Sequence, residues 1–247
     1  MKGIILAAGK GTRLLPLTKT ISKPMLPVYN RPMICYAVDI LLEAEIKDIM
    51  IVVSYENKEM IEKQLGDGRE YGVNFSYQVQ KEPDGCAGAL KVTKDFIEGE
   101  DCVLIFGDNV FLSKDIQKYL EVGTKNLKNG YSSIFAYTVK DPRKFGVLEL
   151  DKNGSVIAIE EKPEHPKTNL IAPGLYFFDS TLNNRVSNLK KSFRGEYEIA
   201  DVIDSYIKEG NLKAIVINKD NCIWFDAGTH DALLEASVEA KKFYSQN

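Results

Sequence analysis

Short apolar runs separated by amphipathic stretches organise the first half of the chain. Residues 2–7, read as Lys-Gly-Ile-Ile-Leu-Ala, predict a strand buried on both faces, and 48–54, with its Ile-Met-Ile-Val-Val core, predicts a second. Alternation over 73–80 and the run Val103-Leu104-Ile105-Phe106 predict two more strands. Between them, 32–45, 57–65 and 87–96 carry helical spacing, the first with Pro32 near its start. The order strand, helix, strand, with continuously apolar strands, predicts an α/β fold. Its sheet is doubly wound, mainly parallel (mixed), with helices on both faces.

The second half is less regular. Segments 132–139, 147–150, 156–160 and 171–178 are strand-like and separated by turns such as Asp151-Lys152-Asn153-Gly154. Helical patterns over 196–209 and 228–243 flank a last strand near 212–217. There is no internal repeat and no low-complexity linker, so a single domain over 1–247 is expected.

Composition narrows the function by exclusion. A net charge of −3 over 247 residues gives no electrostatic footprint for nucleic acid or an anionic membrane. The N-terminal apolar run is too short to span a bilayer and lacks a cleavage pattern. Cys35, Cys86, Cys102 and Cys222 show no paired spacing, which suggests a reduced, cytoplasmic setting. With only His165 and His230, a histidine metal cluster or histidine-based triad is not expected.

The charge distribution is more telling than its sum. The first 38 residues hold Lys2, Lys10, Arg13, Lys19, Lys23 and Arg31 and not one Asp or Glu. Cations gathered after a first strand point to a bound polyanion, and Gly9 and Gly11 allow backbone N–H groups to approach phosphate oxygens. Two common phosphate loops fail on spacing. A dinucleotide fingerprint needs Gly or Ala where Leu14 stands, and a Walker A loop needs Ser or Thr after Lys10, where Gly11 stands.

The longer stretch is more specific. Gly3-Ile4-Ile5-Leu6-Ala7-Ala8-Gly9-Lys10-Gly11-Thr12-Arg13-Leu14, followed by Ser22-Lys23-Pro24-Met25-Leu26-Pro27-Val28, resembles the signature of the sugar-1-phosphate nucleotidyltransferases. Further segments match in order: Gln80 with Pro83-Asp84-Gly85-Cys86-Ala87, Gly107-Asp108-Asn109, and Phe145-Gly146-Val147. Glu160-Glu161-Lys162-Pro163, Gly174-Leu175-Tyr176, 194–201 and Trp224-Phe225-Asp226-Ala227-Gly228-Thr229 complete the set. The resemblance spans essentially the whole chain and implies a Rossmann-like fold with a small sugar-binding lobe. Residues 1–110 form the nucleotide half and 111–247 the sugar-phosphate half.

The resemblance implies a Mg²⁺-dependent in-line displacement on a nucleoside triphosphate by a sugar 1-phosphate. Its motifs are most like those of the branch that uses dTTP and α-D-glucose 1-phosphate. A UTP-dependent transferase on glucose or N-acetylglucosamine 1-phosphate is the alternative, and a non-catalytic sugar-nucleotide-binding regulator is the alternative of another class. Catalytic roles fall to Arg13 on the departing phosphates, Lys23 near the α-phosphate, Lys162 on the sugar phosphate, and Asp108. The nucleotide would be held by Leu6, Ala8, Gly9, Gly11, Thr12, Arg13, Gln80, Pro83, Gly85 and Asp108. The sugar phosphate would meet Asn109, Gly146, Glu161, Lys162, Gly174 and Trp224, and the metal Asp108 and Asp226. Small-molecule substrates, a homo-oligomer, and no nucleic-acid or membrane partner are the implied associations. Three features depart from the dTTP-using pattern: Ala8 replaces a second Gly, Pro24 follows Lys23, and Gly88 replaces a Gln. The chain stops at Asn247, so a C-terminal regulatory extension is expected to be absent.

Overall fold

A computed structural model describes residues 1–245. In the first half, β1 (Lys2–Ala7) leads into a loop of three short 3₁₀ turns, Thr12–Leu14, Leu17–Lys19 and Lys23–Met25. The chain then forms a ribbon, β2 (Pro27–Val28) with β3 (Arg31–Pro32), and continues through α1 (Ile34–Glu43), β4 (Asp48–Val53), α2 (Lys58–Leu65) and β5 (Asn74–Val79). Helices α3 (Cys86–Lys91) and α4 (Lys94–Ile97) precede β6 (Cys102–Phe106). Strand β1 lies between β4 and β6, all parallel, with Ile5 opposite both Ile51 and Ile105. The continuous apolar runs are explained by burial on both faces. Ile5, Ile51 and Ile105 enter one core, and Ile4, Met50 and Leu104 enter the other.

The second half contains β7 (Asn109–Ser113), α5 (Ile116–Lys128), β8 (Ser132–Thr138), β9 (Gly146–Leu150), β10 (Val156–Glu161), β11 (Leu170–Ile171) and β12 (Leu175–Phe178). After these come α6 (Leu182–Ser187), α7 (Ile199–Lys208), β13 (Leu212–Val216), β14 (Cys222–Asp226) and α8 (His230–Ser245). The large sheet runs β10-β9-β11-β8-β12-β6-β1-β4-β5, with β13 alongside β8. It is mixed: β12 is antiparallel to both β6 and β8. A separate antiparallel pair, β7 with β14, brings the start of the second half against its end.

Several boundaries differ from the periodic reading, each for a local reason. The first helix begins at Ile34 because Pro32 belongs to the ribbon, where the Met33 N–H donates to the Leu26 carbonyl at 3.0 Å. The pattern over 87–96 breaks into two helices near Thr93, whose hydroxyl donates to the Leu90 carbonyl at 2.8 Å. The pattern over 171–178 breaks at Pro173-Gly174, where proline offers no ladder donor. Helices α5 and α6 are additional to the sequence reading.

A third core fixes the basic loop in place. Leu14, Leu26, Val28 and Met33 pack with Val110 and Leu112 of β7 and with Ala236 and Ala240 of α8. The loop is therefore an anchored structure with a fully buried Leu14 at its centre.

Candidate functional site: a cation cluster between two strand ends

The site begins where β1 ends. Gly11 adopts φ 62°, and a Cβ there would lie 3.0 Å from both Lys23 Cβ and Thr18 Cγ2, so the turn needs glycine. The Thr18 hydroxyl closes the loop by donating to the Gly11 carbonyl at 2.9 Å. Thr12 and Arg13 follow on the exposed turn Thr12–Leu14. Lys23 sits on the third turn and is only 5% exposed.

Two strand ends supply the counter-charge. Asp108 follows β6 in the tight passage to β7, where the Gly107 N–H donates to the Leu6 carbonyl at 2.9 Å. Asp226 ends β14 and is in register with Asn109, the first residue of β7. That register brings both carboxylates to one cation. Lys23 Nζ lies 2.7 Å from Asp108 Oδ2 and 3.0 Å from Asp226 Oδ1. Burial pushes the lysine pKa down, but the two carboxylates outweigh it and hold the ammonium above its ordinary value. Arg13 Nη2 approaches Asp226 Oδ2 at 3.5 Å, passing over Gly228, where a Cβ would lie 2.8 Å from that nitrogen. The sequence leaves Arg13 without a nearby acid; the fold supplies Asp226.

A cleft of about 540 Å³ opens beside this cluster. Ala8, Gly9, Gln80 and Pro83 line it, with Ser22 and Tyr55. Leu6, half-buried near the end of β1, contributes the carbonyl that holds Gly107. Gln80 leaves the end of β5, its N–H bonded to the Val53 carbonyl at 2.9 Å. Its side-chain nitrogen donates to Asp84 Oδ1 at 2.9 Å and to the Gly85 carbonyl at 3.1 Å.

On the other side of Asp108, Gly146 and Glu161 are register partners of β9 and β10. Lys162 has φ 49°, a left-handed backbone unusual for a side-chain-bearing residue, and its Nζ lies 3.0 Å from Glu161 Oε1. Gly174 has φ 79°, and a Cβ there would lie 2.5 Å from both Asn109 Nδ2 and the Phe106 ring. Cys86 is solvent-accessible, yet the protein packed round it raises its thiol pKa.

Two of the residues expected on the sugar side are buried and bonded to each other. Asn109 and Trp224 are 3% and 7% exposed, and Trp224 Nε1 donates to Asn109 Oδ1 at 3.2 Å. Asn109 Nδ2 donates in turn to the Pro173 carbonyl at 2.6 Å, and the Trp224 ring packs edge-on against Phe145. Through these bonds both side chains brace the Gly174 and Phe145 segments. The periodic reading also gave no role to Asp84 or Glu198. Glu198 accepts from Arg194 and from the Ser192 hydroxyl, pairings that only the folded loop reveals.

Among the described residues no group of three or more His, Cys, Asp or Glu converges on one point. Asp108 and Asp226 form a pair of carboxylates that brackets the Lys23 ammonium. A mixed α/β sheet with a basic loop at one strand end and paired carboxylates at two others defines a phosphate-handling transferase. Comparison with known proteins makes this specific: the sequence model described as nucleotidyl transferase matches residues 2–242, and the chain belongs to that family. It is 40% identical over 237 residues to the glucose-1-phosphate thymidylyltransferase of Neisseria meningitidis serogroup A, covering 96% of this chain and 81% of that one. The Mycolicibacterium smegmatis protein of the same name is 42% identical with the same coverage. A solved Bacillus anthracis structure, provisionally assigned as a glucose-1-phosphate thymidylyltransferase and in complex with sucrose, superposes with a TM-score of 0.89 at 41% identity. That match covers 97% of this chain and 95% of the other. A UDP-glucose pyrophosphorylase bound to UDP-glucose gives 0.85 at 26% identity, covering 98% of each chain.

Proposed function

We propose that this chain transfers a thymidylyl unit from dTTP to α-D-glucose 1-phosphate, giving dTDP-glucose and pyrophosphate. The observation that carries the reading is the Lys23 ammonium held between Asp108 and Asp226 with Arg13 alongside. Cations and carboxylates meet there, next along the chain to Ser22, which lines the cleft. The names of the relatives supply the substrates.

The nucleophile is a phosphate oxygen that is already anionic, so no general base is required. This agrees with a site whose two histidines lie elsewhere, His230 against the Leu15 carbonyl and His165 exposed. The new bond joins that oxygen to the α-phosphorus, and the α–β bridging bond breaks with pyrophosphate leaving. Arg13 would hold the departing phosphates, where negative charge grows, and Lys23 would face the α-phosphate. Lys162 and Glu161 would grip the sugar phosphate and sugar hydroxyls, with Gly146 and Gly174 keeping the backbone approachable. Ala8, Gly9, Gly11 and Thr12 would present the loop to the triphosphate, and Gln80, Pro83 and Gly85 would hold the base.

Two convergent carboxylates, already bracketing a positive charge, fit a hard divalent ion such as Mg²⁺, which takes few protein ligands and completes its shell with phosphate and water. Asp108 and Asp226 would hold it, and when bound it supplies neutralisation of the phosphate charge. We further place the enzyme in the cytoplasm as a homo-oligomer, supported by four free cysteines and by exposed Leu234 and Val238 on α8. Among the described residues no helix is long and apolar enough to cross a membrane.

A uridylyl reading stands second, favoured by the likeness to the UDP-glucose pyrophosphorylase. The test is pyrophosphate release from dTTP and glucose 1-phosphate with and without a strong chelator, in the wild type, Asp108→Asn and Asp226→Asn. Turnover should vanish with chelator and fall severely in both variants. Full activity without divalent metal would overturn the assignment of the carboxylates.

A further inference from the structure

Gln80 is placed to read the base, but its amide is already partly committed. An amide nitrogen carries two hydrogens, and both are spent: one on Asp84 Oδ1 at 2.9 Å, one on the Gly85 carbonyl at 3.1 Å. A backbone carbonyl and a carboxylate are both acceptors, so a flipped amide would set Oε1 against two oxygens. The flip is therefore chemically decided. What Gln80 has left is one acceptor, Oε1, and no donor.

The position of Asp84 is equally determined. Its backbone carbonyl receives the Tyr197 N–H at 2.7 Å, and the Ala87 N–H returns a bond to the Tyr197 carbonyl at 3.1 Å. Gly85, at φ 97°, lies so close that a Cβ would stand 2.5 Å from that same carbonyl. The side chain then needs space, and Gly88 provides it. A Cβ at position 88 would overlap Asp84 Oδ1 and lie 2.5 Å from Asp84 Cγ. Glycine inside a helix is unfavourable unless something packs into the gap. Here the gap is filled by a carboxylate from the preceding loop.

We propose that Asp84, seated in the space left by Gly88, locks the Gln80 amide as a pure acceptor and so makes the cleft select bases that present an N–H at the matching edge position. Thymine and uracil carry that hydrogen on N3. Cytosine carries a bare lone pair there and would oppose Oε1. Asp84 and Gly88 are positioning residues that act through Gln80. The inference rests on the assignment of this cleft to a pyrimidine nucleotide and goes further by naming what sets the choice.

The experiment measures kcat/KM for pyrophosphate release with thymidine, uridine and cytidine triphosphates in the wild type, Asp84→Ala, Gly88→Ala, the double variant and Asp84→Asn. Calorimetric titration of each nucleotide without sugar phosphate accompanies it. Asp84→Ala and Gly88→Ala should each raise the cytidine-to-thymidine ratio about tenfold or more, in rate and in affinity, because the amide is then free to turn. The double variant should match the singles, since both remove one contact. Asp84→Asn can still accept from Gln80 through Oδ1, and should keep the wild-type ratio. A purely structural role would lower all three nucleotides together. An unchanged ratio in both single variants, with thymidine triphosphate still preferred by the wild type, overturns the lock alone. A wild type that binds no pyrimidine triphosphate overturns the lock and the assignment of the cleft together. Circular dichroism checks folding, and Asp84→Ala, which removes atoms without adding any, carries the test if Gly88→Ala does not fold.

Discussion

Arg13 is half exposed, with its guanidinium 3.5 Å from Asp226, so it is held loosely enough to move onto a ligand. Charge grows on leaving pyrophosphate, and a fork of N–H donors there is worth more in the transition state than in the bound substrate. Arg13→Ala should lower kcat by roughly 10²–10³-fold, the scale for losing one charge-stabilising donor. Sugar-phosphate affinity should change little, because that contact is proposed for Lys162 and Glu161; steady-state kinetics with a binding titration checks both. Arg13, Lys23 and the two aspartates were legible because an acid-free, cation-bearing loop and carboxylates after apolar strands are local patterns. Their meeting was not, since Lys23 and Asp226 lie 203 residues apart and come together only in the fold. Asn109 and Trp224 were legible as members of the motifs, but whether such a polar group faces a ligand or a neighbour depends on packing. The sequence cannot show that Trp224 donates to Asn109.

Among the elements, the loop before α7 ties the base segment to the sugar side. Glu198 is 15% exposed and accepts from Arg194 and Ser192. Burial raises its pKa, but the Arg194 and Ser192 bonds outweigh it and leave the carboxyl below its ordinary 4.5. A carboxyl held lower in the folded state than in the unfolded one adds stability above the unfolded value, and loses it as pH falls through the folded value. Glu198→Gln should therefore destabilise the protein at pH 7 by about 1–3 kcal/mol. The difference from wild type should close once the pH is well below 4.5, as denaturant titrations at several pH values would show. Strands β1, β4 and β6 were readable because burial on both faces demands unbroken apolar runs, and β5 because its residues alternate. Helix α5 escaped because its inward stripe passes through Gly123, where the Phe177 ring lies 2.7 Å from the site of a Cβ. A glycine there weakens the helical pattern that an alanine or leucine would have shown.

At the scale of the whole molecule, the parallel strands β5, β4, β1 and β6 form one side of the sheet, and β12, β8, β11, β9 and β10 extend it on the other. The mixed character follows from β12, which enters the sheet between β6 and β8 and reverses direction there. Direction of pairing is not written in apolar periodicity, so the alternation gave the fold class but not this order. Under the proposed function, Asp108 lies between a base cleft and a sugar-phosphate hairpin, and the central claim is that the two halves act on one reaction. The most direct test offers the protein equal concentrations of thymidine, uridine, cytidine and guanosine triphosphates with α-D-glucose 1-phosphate and Mg²⁺, and identifies the nucleotide sugars by mass spectrometry. The account predicts dTDP-glucose as the main product, UDP-glucose as the minor one, and one pyrophosphate for each. No nucleotide sugar, or four in equal amounts, would contradict it.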